Sequence, residues 1–300
     1  MGALDGRVCI VTGAGRGIGR EHALYLASQG AKLVVNDLGG NIDGTGDDKA
    51  PAQQVVEEIQ AAGGEAVANV DSVSDWAGAE RMVQTAVEAF GDLHVLVNNA
   101  GILRDRVIVN MTEDEWDAVI NVHLKGHFAP LHHAAAYWRQ QSKAGKEVNA
   151  SVIHTASESG LFGNPGQANY GAAKSGIATM SLIASKELVR YGVRSNAIAP
   201  RARTRLTEST FGTDLMAARE GQFDIWSPAN ISPCIAWLAH PECKASGETY
   251  FVFGGKVQRV VGWDPDPDKV VAKDEKLSLE VLLAEQDNLV GGRTPVPPGM

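Results

Sequence analysis

Apolar and polar positions along the chain follow two alternating rhythms. Short apolar, β-branched runs occur at 8–11, 32–37, 66–70, 93–97, 151–156, 193–198 and 249–253. Longer stretches between them carry apolar residues at helical spacing, at 17–28, 51–62, 75–90, 113–139, 169–190 and 228–239. Runs of four to eight apolar residues bounded by turn signals suit strands buried on both faces. Strands separated by helical lengths need crossover connections, which are right-handed and give a parallel sheet. The pattern predicts an α/β fold: a single Rossmann-type, doubly wound parallel sheet of about seven strands with helices on both faces. No internal repeat and no mid-chain linker interrupts it, so residues 1–255 are expected to form one dinucleotide-binding and catalytic domain. Residues 256–300 contain Asp-Pro-Asp-Pro, a helical stretch at 277–288 and a Pro-rich end. This tail is too short for a domain and is expected to pack on the domain or on a partner subunit.

Two further stretches break the alternation. The loop 38–50 is long and rich in Gly and Asp, and 201–225 mixes basic and apolar residues. Composition narrows the classes of function. The 300 residues are 44% apolar and 21% charged, with a formal net charge of -9, so the chain is globular and acidic. That balance argues against general binding of nucleic acid or an anionic membrane, and any anionic ligand needs a local basic patch. Cys9, Cys234 and Cys243 have no metal-ligand or CxxC spacing, so no metal site is expected and a reducing, cytoplasmic setting fits. No apolar run approaches the roughly 18 residues of a membrane span. Neither a signal-peptide lead nor a C-terminal retention or peroxisomal signal is expected from the two ends.

Candidate chemistry gathers at the carboxyl ends of the predicted strands, where open α/β sheets bind ligands. Thr12-Gly-Ala-Gly-Arg-Gly-Ile-Gly19 joins the first strand to the first helix. Glycines there allow positive φ and a close backbone approach to a pyrophosphate, while the helix N-terminus offers free N–H groups. Gly13, Arg16, Gly17, Ile18 and Gly19 are therefore cofactor candidates. Asp37 closes the second strand, where a carboxylate accepts both adenosine ribose hydroxyls and repels the extra phosphate of NADP. Arg16 pulls toward NADP, but the placement of Asp37 makes NAD the expected cofactor. Asp71 and Ser72 follow the third strand, with Asp71 assigned to the adenine. Asn98, Ala100 and Gly101 follow the fourth, and Pro200, Ala202 and Thr204 follow the sixth.

Tyr170 and Lys174 lie four residues apart in a helical stretch and share a face. A free tyrosine, with a pKa of about 10, is a poor base at neutral pH. A neighbouring ammonium is expected to lower that value and suit the phenol to alcohol–ketone interconversion. Ser157, after the fifth strand, can hydrogen-bond the same substrate oxygen. Asn121, in the middle of the helix before that strand, can hold a water that relays protons toward Lys174. These residues resemble the short-chain dehydrogenase/reductase family across about residues 6 to 255. The resemblance implies a catalytic tetrad of Asn121, Ser157, Tyr170 and Lys174, with a hydride passed between a nicotinamide and a secondary alcohol. It also implies assembly through the helices 113–139 and 169–190, whose small residues include Ala172, Ala173 and Ala178, so a homodimer or homotetramer is expected.

Within the family, four stretches resemble the (3R)-hydroxyacyl-CoA dehydrogenase parts of peroxisomal multifunctional enzymes type 2. They are Val35-Asn-Asp-Leu-Gly-Gly40, Ala68-Asn-Val-Asp-Ser-Val73, Asn98-Asn-Ala-Gly-Ile-Leu-Arg-Asp-Arg106 and Gly163-Asn-Pro-Gly-Gln-Ala-Asn-Tyr170. This resemblance implies NAD and a small-molecule substrate, a 3-hydroxyacyl-CoA. One departure is Ala199-Pro-Arg-Ala-Arg-Thr204, where many family members have Pro-Gly. Arg104, Arg106, Arg201, Arg203 and Arg205 are expected either to converge on CoA phosphates or to pair with loop carboxylates. Phe211, Leu215, Met216, Phe223 and Trp226 can line a steroid slot or form the apolar face of a lid. The alternatives are a 17β-hydroxysteroid dehydrogenase, an NADP-dependent 3-oxoacyl reductase, or a non-catalytic cofactor-binding regulator.

Overall fold

The computed structural model describes residues 2–41, 43–46, 50–204, 217–218, 221–262, 268, 270 and 278–289. Its backbone divides into two units, Met1–Val260 and Val261–Met300. The first unit is built on an eight-stranded sheet of order β3-β2-β1-β4-β5-β6-β7-β8. The strands are β1 (Val8–Thr12), β2 (Lys32–Asn36), β3 (Ala66–Asn69), β4 (Val95–Asn98), β5 (Ala150–Thr155), β6 (Val193–Arg201), β7 (Thr249–Phe253) and β8 (Lys256–Val260). The first seven pair in parallel, and β8 folds back antiparallel on β7. The sheet therefore has one strand more than expected and extends to residue 260, five residues past the predicted boundary. The hairpin was hidden because Lys256, Gln258 and Arg259 give β8 an exposed, polar edge-strand sequence.

Alternation within each strand sends side chains to two separate cores. Cys9, Val11, Leu33, Val35, Val95 and Val97 face α1 (Gly17–Ser28), α2 (Ala50–Ala61) and the helix Ser232–Ala239. Val8, Ile10, Val34, Leu96 and Val152 face the opposite layer, including α3 (Trp76–Phe90). The predicted helix 113–139 is three segments: α4 (Glu113–Ile120), a π-helical turn (Asn121–Lys125) and α5 (Gly126–Lys143). A short α6 (Glu158–Phe162) follows β5 and had no signal of its own. Next come α7 (Ala168–Leu188) and, after a 3-10 turn at Pro228–Ile231, α8 (Ser232–Ala239). The second unit contains α9 (Leu279–Ala284), capped by Ser278, and α10 (Gln286–Leu289).

The chain runs outward from β1 to β3, then returns to add β4 on the other side of β1. This reversal places a crevice over the carboxyl ends of β1 and β4, where the two adjoining loops leave in opposite directions.

Candidate active site

The glycine-rich turn after β1 is fastened to the turn after β4. Thr12 Oγ1 accepts from the backbone N–H groups of Asn99 (2.9 Å) and Ala100 (3.1 Å). The Asn99 amide donates back to the carbonyls of Thr12 (3.0 Å) and Gly13 (3.1 Å). This closeness fixes the residue types. Gly13 has φ +63°, and a Cβ there would lie 2.7 Å from Ala100 Cα; one on Gly19 would lie 2.1 Å from the Gly13 carbonyl oxygen. No side chain caps α1 at Arg16, so the first N–H groups of that helix face the crevice. A cradle lacking Cβ atoms, ending on an uncapped helix N-terminus, fits the pyrophosphate of a dinucleotide.

Along the crevice, the Asp37 carboxylate accepts from Gly15 N–H and Gly39 N–H, each at 2.7 Å, which holds it against the turn. Asp71 is engaged by Arg81 Nε at 3.0 Å and by the Asn69 amide at 2.9 Å. Gly13, Arg16, Gly17, Ile18, Gly19, Asp37, Asp71, Ser72, Ala100, Gly101, Tyr170, Lys174, Pro200, Ala202 and Thr204 line one cleft. Three expected residues, Asn98, Asn121 and Ser157, are not among its lining residues. Asn98 is fully buried beneath it, with its amide toward the His127 carbonyl (3.2 Å) and His154 Nδ1 (3.4 Å). Its neighbour Asn99 borders the cleft instead, because successive residues at a strand end point to opposite faces.

Ser157 caps α6, accepting from Ser159 N–H at 3.3 Å, and its hydroxyl hydrogen-bonds the phenol of Tyr170. Lys174, 2% exposed, donates to the Thr155 carbonyl at 2.5 Å and lies 5.5 Å from the centre of the Tyr170 ring. The expected lowering of the Tyr170 pKa by Lys174 is not what this arrangement produces. Burial pushes the phenol up to about 12, Asp105 adds to the rise, and the Ser157 hydrogen bond opposes it. Burial also pushes the Lys174 amine down to about 7. Desolvation disfavours the charged form of each group, so the lysine is no longer a permanent ammonium beside the tyrosine.

Asn121 is exposed and does not reach the cleft. The π-helical turn changes the angular phase of the helix, and His123 is the residue that faces inward. The His123 ring is buried and packs edge-on against Tyr170, with centroids 5.1 Å apart. Its Nε2 lies 2.8 Å from the Ile102 carbonyl oxygen and 3.1 Å from the Ile102 nitrogen. A Cβ on Gly101 would come within 2.3 Å of this ring. Sequence reasoning missed His123 because a uniform helical period carries no sign of the π turn.

The arginines divide among loop partners. Arg201 makes a two-pronged pair with Glu158 (2.8 and 2.6 Å), with its guanidinium carbon 5.5 Å from the ring centres of Phe251 and Phe253. Arg203 pairs with Asp224 at 2.5 Å, Arg106 with Glu115 at 3.0 Å, and Arg104 donates to the Asp43 carbonyl at 2.9 Å. Of the two expectations, pairing with carboxylates is the one the geometry shows for Arg106, Arg201 and Arg203, whereas Arg104 is held by a backbone carbonyl. Arg205, Phe211, Leu215 and Met216 lie outside the described residues. Phe223 is exposed, and Trp226 packs edge-on against Phe253 at 4.8 Å.

A family model described as short chain dehydrogenase matches residues 7–213. The hydroxyacyl-CoA dehydrogenase ChsB1 of Mycobacterium tuberculosis is 45% identical, over 86% of this chain and 80% of its own length. The peroxisomal multifunctional enzyme type 2 of Drosophila melanogaster is 42% identical over 86% of this chain, which spans 40% of that longer protein. Among solved structures, a short chain dehydrogenase from Mycobacterium avium superposes with a TM-score of 0.86 and 50% identity, covering 99% of both chains.

Proposed function

Because the chain belongs to the short-chain dehydrogenase family, whose members use NAD or NADP to oxidise or reduce CH–OH groups, we propose that it interconverts a (3R)-3-hydroxyacyl-CoA and its 3-oxo form with NAD. One observation carries the cofactor and the chemistry together. The Ser157-bound phenol of Tyr170 and the backbone-held carboxylate of Asp37 line the same cleft. The acyl-CoA draws on the similarity to proteins named for that substrate.

The cradle of Gly13, Gly17, Gly19 and the α1 N-terminus would hold the pyrophosphate, and Asp37 the adenosine ribose. When bound, the dinucleotide supplies the nicotinamide carbon that exchanges hydride with the substrate. The chain's own residues manage the proton. Ser157 orients the substrate oxygen beside the Tyr170 hydroxyl. With its pKa near 12, Tyr170 is a neutral phenol at pH 7, ready to protonate a carbonyl oxygen. In the opposite direction the phenol must give up a proton, and Lys174, poised near 7, is a buried amine that can take it. Lys174 thus serves as a proton acceptor at neutral pH.

The test is turnover with NADH and NADPH across 3-oxoacyl-CoA and 17-oxosteroid substrates, and with the oxidised cofactors across their alcohols. Preference for NAD(H) and acyl-CoA is expected. Preference for NADPH would remove the Asp37 argument, and preference for the steroid would remove the thioester. Tyr170→Phe is expected to abolish turnover while cofactor binding persists; full activity in that variant would favour a non-catalytic regulator. We also propose a homodimer or homotetramer through α5 and α7, where Phe128, Leu182 and Ile183 are exposed. Light scattering measures that mass directly, and a monomer would refute it.

A further inference from the structure

The short helix α6 cannot hold itself in place. It has five residues, Glu158–Phe162, and so short a helix is unstable without tertiary support. Yet its cap, Ser157, presents the hydroxyl that bonds the Tyr170 phenol. Ser157 follows directly on Thr155 and Ala156, which border the cleft. The ties that fix α6 therefore also fix the aim of that hydroxyl.

Three ties are present. Gly160 lies flat against α7, where a Cβ would come within 2.6 Å of the Ser175 nitrogen and 2.7 Å of Lys174 Cβ. Ser159 Oγ donates to Gln167 Oε1 at 2.7 Å. The third tie, Glu158 to Arg201, reaches across to the sheet, and β6 makes it possible by outrunning β5. The two strands pair as far as Thr155 and Ile198, and the Ala156 N–H still donates to the Ile198 carbonyl at 2.7 Å. From there the β5 chain turns into α6, while β6 continues to Arg201, opposite Phe253 of β7. Arg201 Nε donates to Glu158 Oε2 at 2.8 Å and Nη2 donates to Oε1 at 2.6 Å. A fork that grips both oxygens fixes direction as well as distance. The rings of Phe251 and Phe253, each 5.5 Å from the guanidinium carbon, back the fork. The two side chains are only 18% and 23% exposed, so salt and solvent screen the pair weakly. Neither is among the residues lining the cleft, and the hydride and proton chemistry uses neither.

We propose that Arg201 is a positioning residue for the reaction: its two-pronged grip on Glu158 sets the backbone beside Ser157, and thereby the aim of the Ser157 hydroxyl at Tyr170 and at the substrate oxygen. Arg201 touches neither substrate nor cofactor, and its effect travels through Ser157. A displacement of about 1 Å at a reacting group can cost about a hundredfold in rate. Loss of one tie of three is a smaller disturbance, and about tenfold in kcat is expected. The glycine cradle, on the far side of β1, does not depend on this tie, so cofactor affinity is expected to stay. This role rests on the dehydrogenase reading above.

The test compares the unsubstituted protein with Arg201→Met, Arg201→Lys, Glu158→Leu and the double variant Arg201→Met/Glu158→Leu. Methionine keeps an apolar stem against the two phenylalanine rings but has no fork, whereas lysine keeps the charge as a single point. Kinetics are run on a 3-oxoacyl-CoA and on the N-acetylcysteamine thioester of the same acyl group, which carries no phosphate. NADH affinity is followed by fluorescence and folding by circular dichroism. Arg201→Met is expected to lower kcat about tenfold on both thioesters, with KM and NADH affinity within about twofold, and Arg201→Lys is expected to fall between it and the parent. The double variant is expected to lose no more than about twofold beyond either single variant, because both remove the same tie. Unchanged kcat in folded Arg201→Met overturns the proposal, as does a loss in the double variant equal to the product of the two single losses. A rise in KM for the acyl-CoA alone also overturns it and makes Arg201 a phosphate ligand. If either single variant fails to fold, Arg201→Lys and Glu158→Gln are read instead, and unchanged kcat in both overturns it. Absence of all turnover in the unsubstituted protein removes the dehydrogenase reading and this role together, whereas normal turnover with indifferent variants removes only the role.

Discussion

Lys174 gives the sharpest quantitative test, because its environment makes stability depend on pH in a calculable direction. The amine is 2% exposed and its affinity for protons falls from the ordinary 10.5 to about 7. Each pH unit of displacement corresponds to about 1.4 kcal/mol, so holding the ammonium in the folded state costs about 5 kcal/mol below pH 6, where both states are protonated. As pH rises from 7 toward 10.5, the unfolded chain binds the extra proton and the folded protein does not. Unfolding free energy therefore rises with pH, and this contribution amounts to about 2 kcal/mol between pH 7 and pH 9. Lys174→Met keeps the chain length and removes the titration. It also orphans the Thr155 carbonyl that Lys174 satisfies, but that loss does not vary with pH. The stability difference, unsubstituted minus Lys174→Met, should climb by about 2 kcal/mol across that interval in guanidinium titrations at fixed protein concentration. His123, His127 and His154, all depressed below their ordinary range, are neutral throughout it. A flat difference would mean that Lys174 titrates as an exposed lysine, and the role assigned to its free amine would be lost.

Three other outcomes follow from the same geometry. On the proposed NAD reading, Asp37→Ala should raise the ratio of NADP to NAD kcat/KM by about tenfold or more, since a carboxylate held in place by Gly15 and Gly39 would repel the extra phosphate; an unchanged ratio would remove Asp37 from the choice of cofactor. Gly19→Ala sets a methyl group 2.1 Å from the Gly13 carbonyl, so NADH affinity should fall and thermal unfolding should register a loss of about 2 kcal/mol or more. Arg201→Ala should lower the unfolding temperature yet leave the KM for acyl-CoA within about twofold, because the guanidinium is committed to Glu158. A large KM increase in Arg201→Ala with none in Glu158→Gln would return Arg201 to a phosphate-binding role.

How far the sequence reaches depends on whether a residue's role is local. The strand and helix alternation was legible because the central parallel strands are buried on both faces and carry short apolar runs, as at Val8–Val11 and Leu33–Val35. The glycine turn was legible for the same reason: Gly13, Gly17 and Gly19 are required by the backbone of their own loop. Strand β8 was not, because an edge strand with Lys256, Gln258 and Arg259 satisfies its pairing without an apolar signature. The pairing of Arg201 with Glu158 was equally out of reach. It joins positions 43 residues apart that meet only once β5 and β6 lie side by side.

The exchange of Asn121 for His123 shows what such limits mean for chemistry. Both residues sit in a stretch whose spacing reads as helix, and a constant 3.6-residue period gives no reason to prefer one over the other for the inward face. The π turn breaks that period between Ile120 and Gly126, and a wider turn of this kind is a feature that functional sites retain despite its poorer geometry. Here it delivers an imidazole to within 5.1 Å of the Tyr170 ring and leaves Asn121 exposed. Gly101 is the matching half, since any side chain there would occupy the space of the His123 ring. A glycine after β4 and a histidine 22 positions later are thus one structural unit. Gly101→Ala should therefore damage turnover through displacement of His123 even though residue 101 carries no chemistry. If Gly101→Ala retained the kcat of the parent protein, the His123 ring would have room to move, and its packing against Tyr170 would not be what positions the phenol.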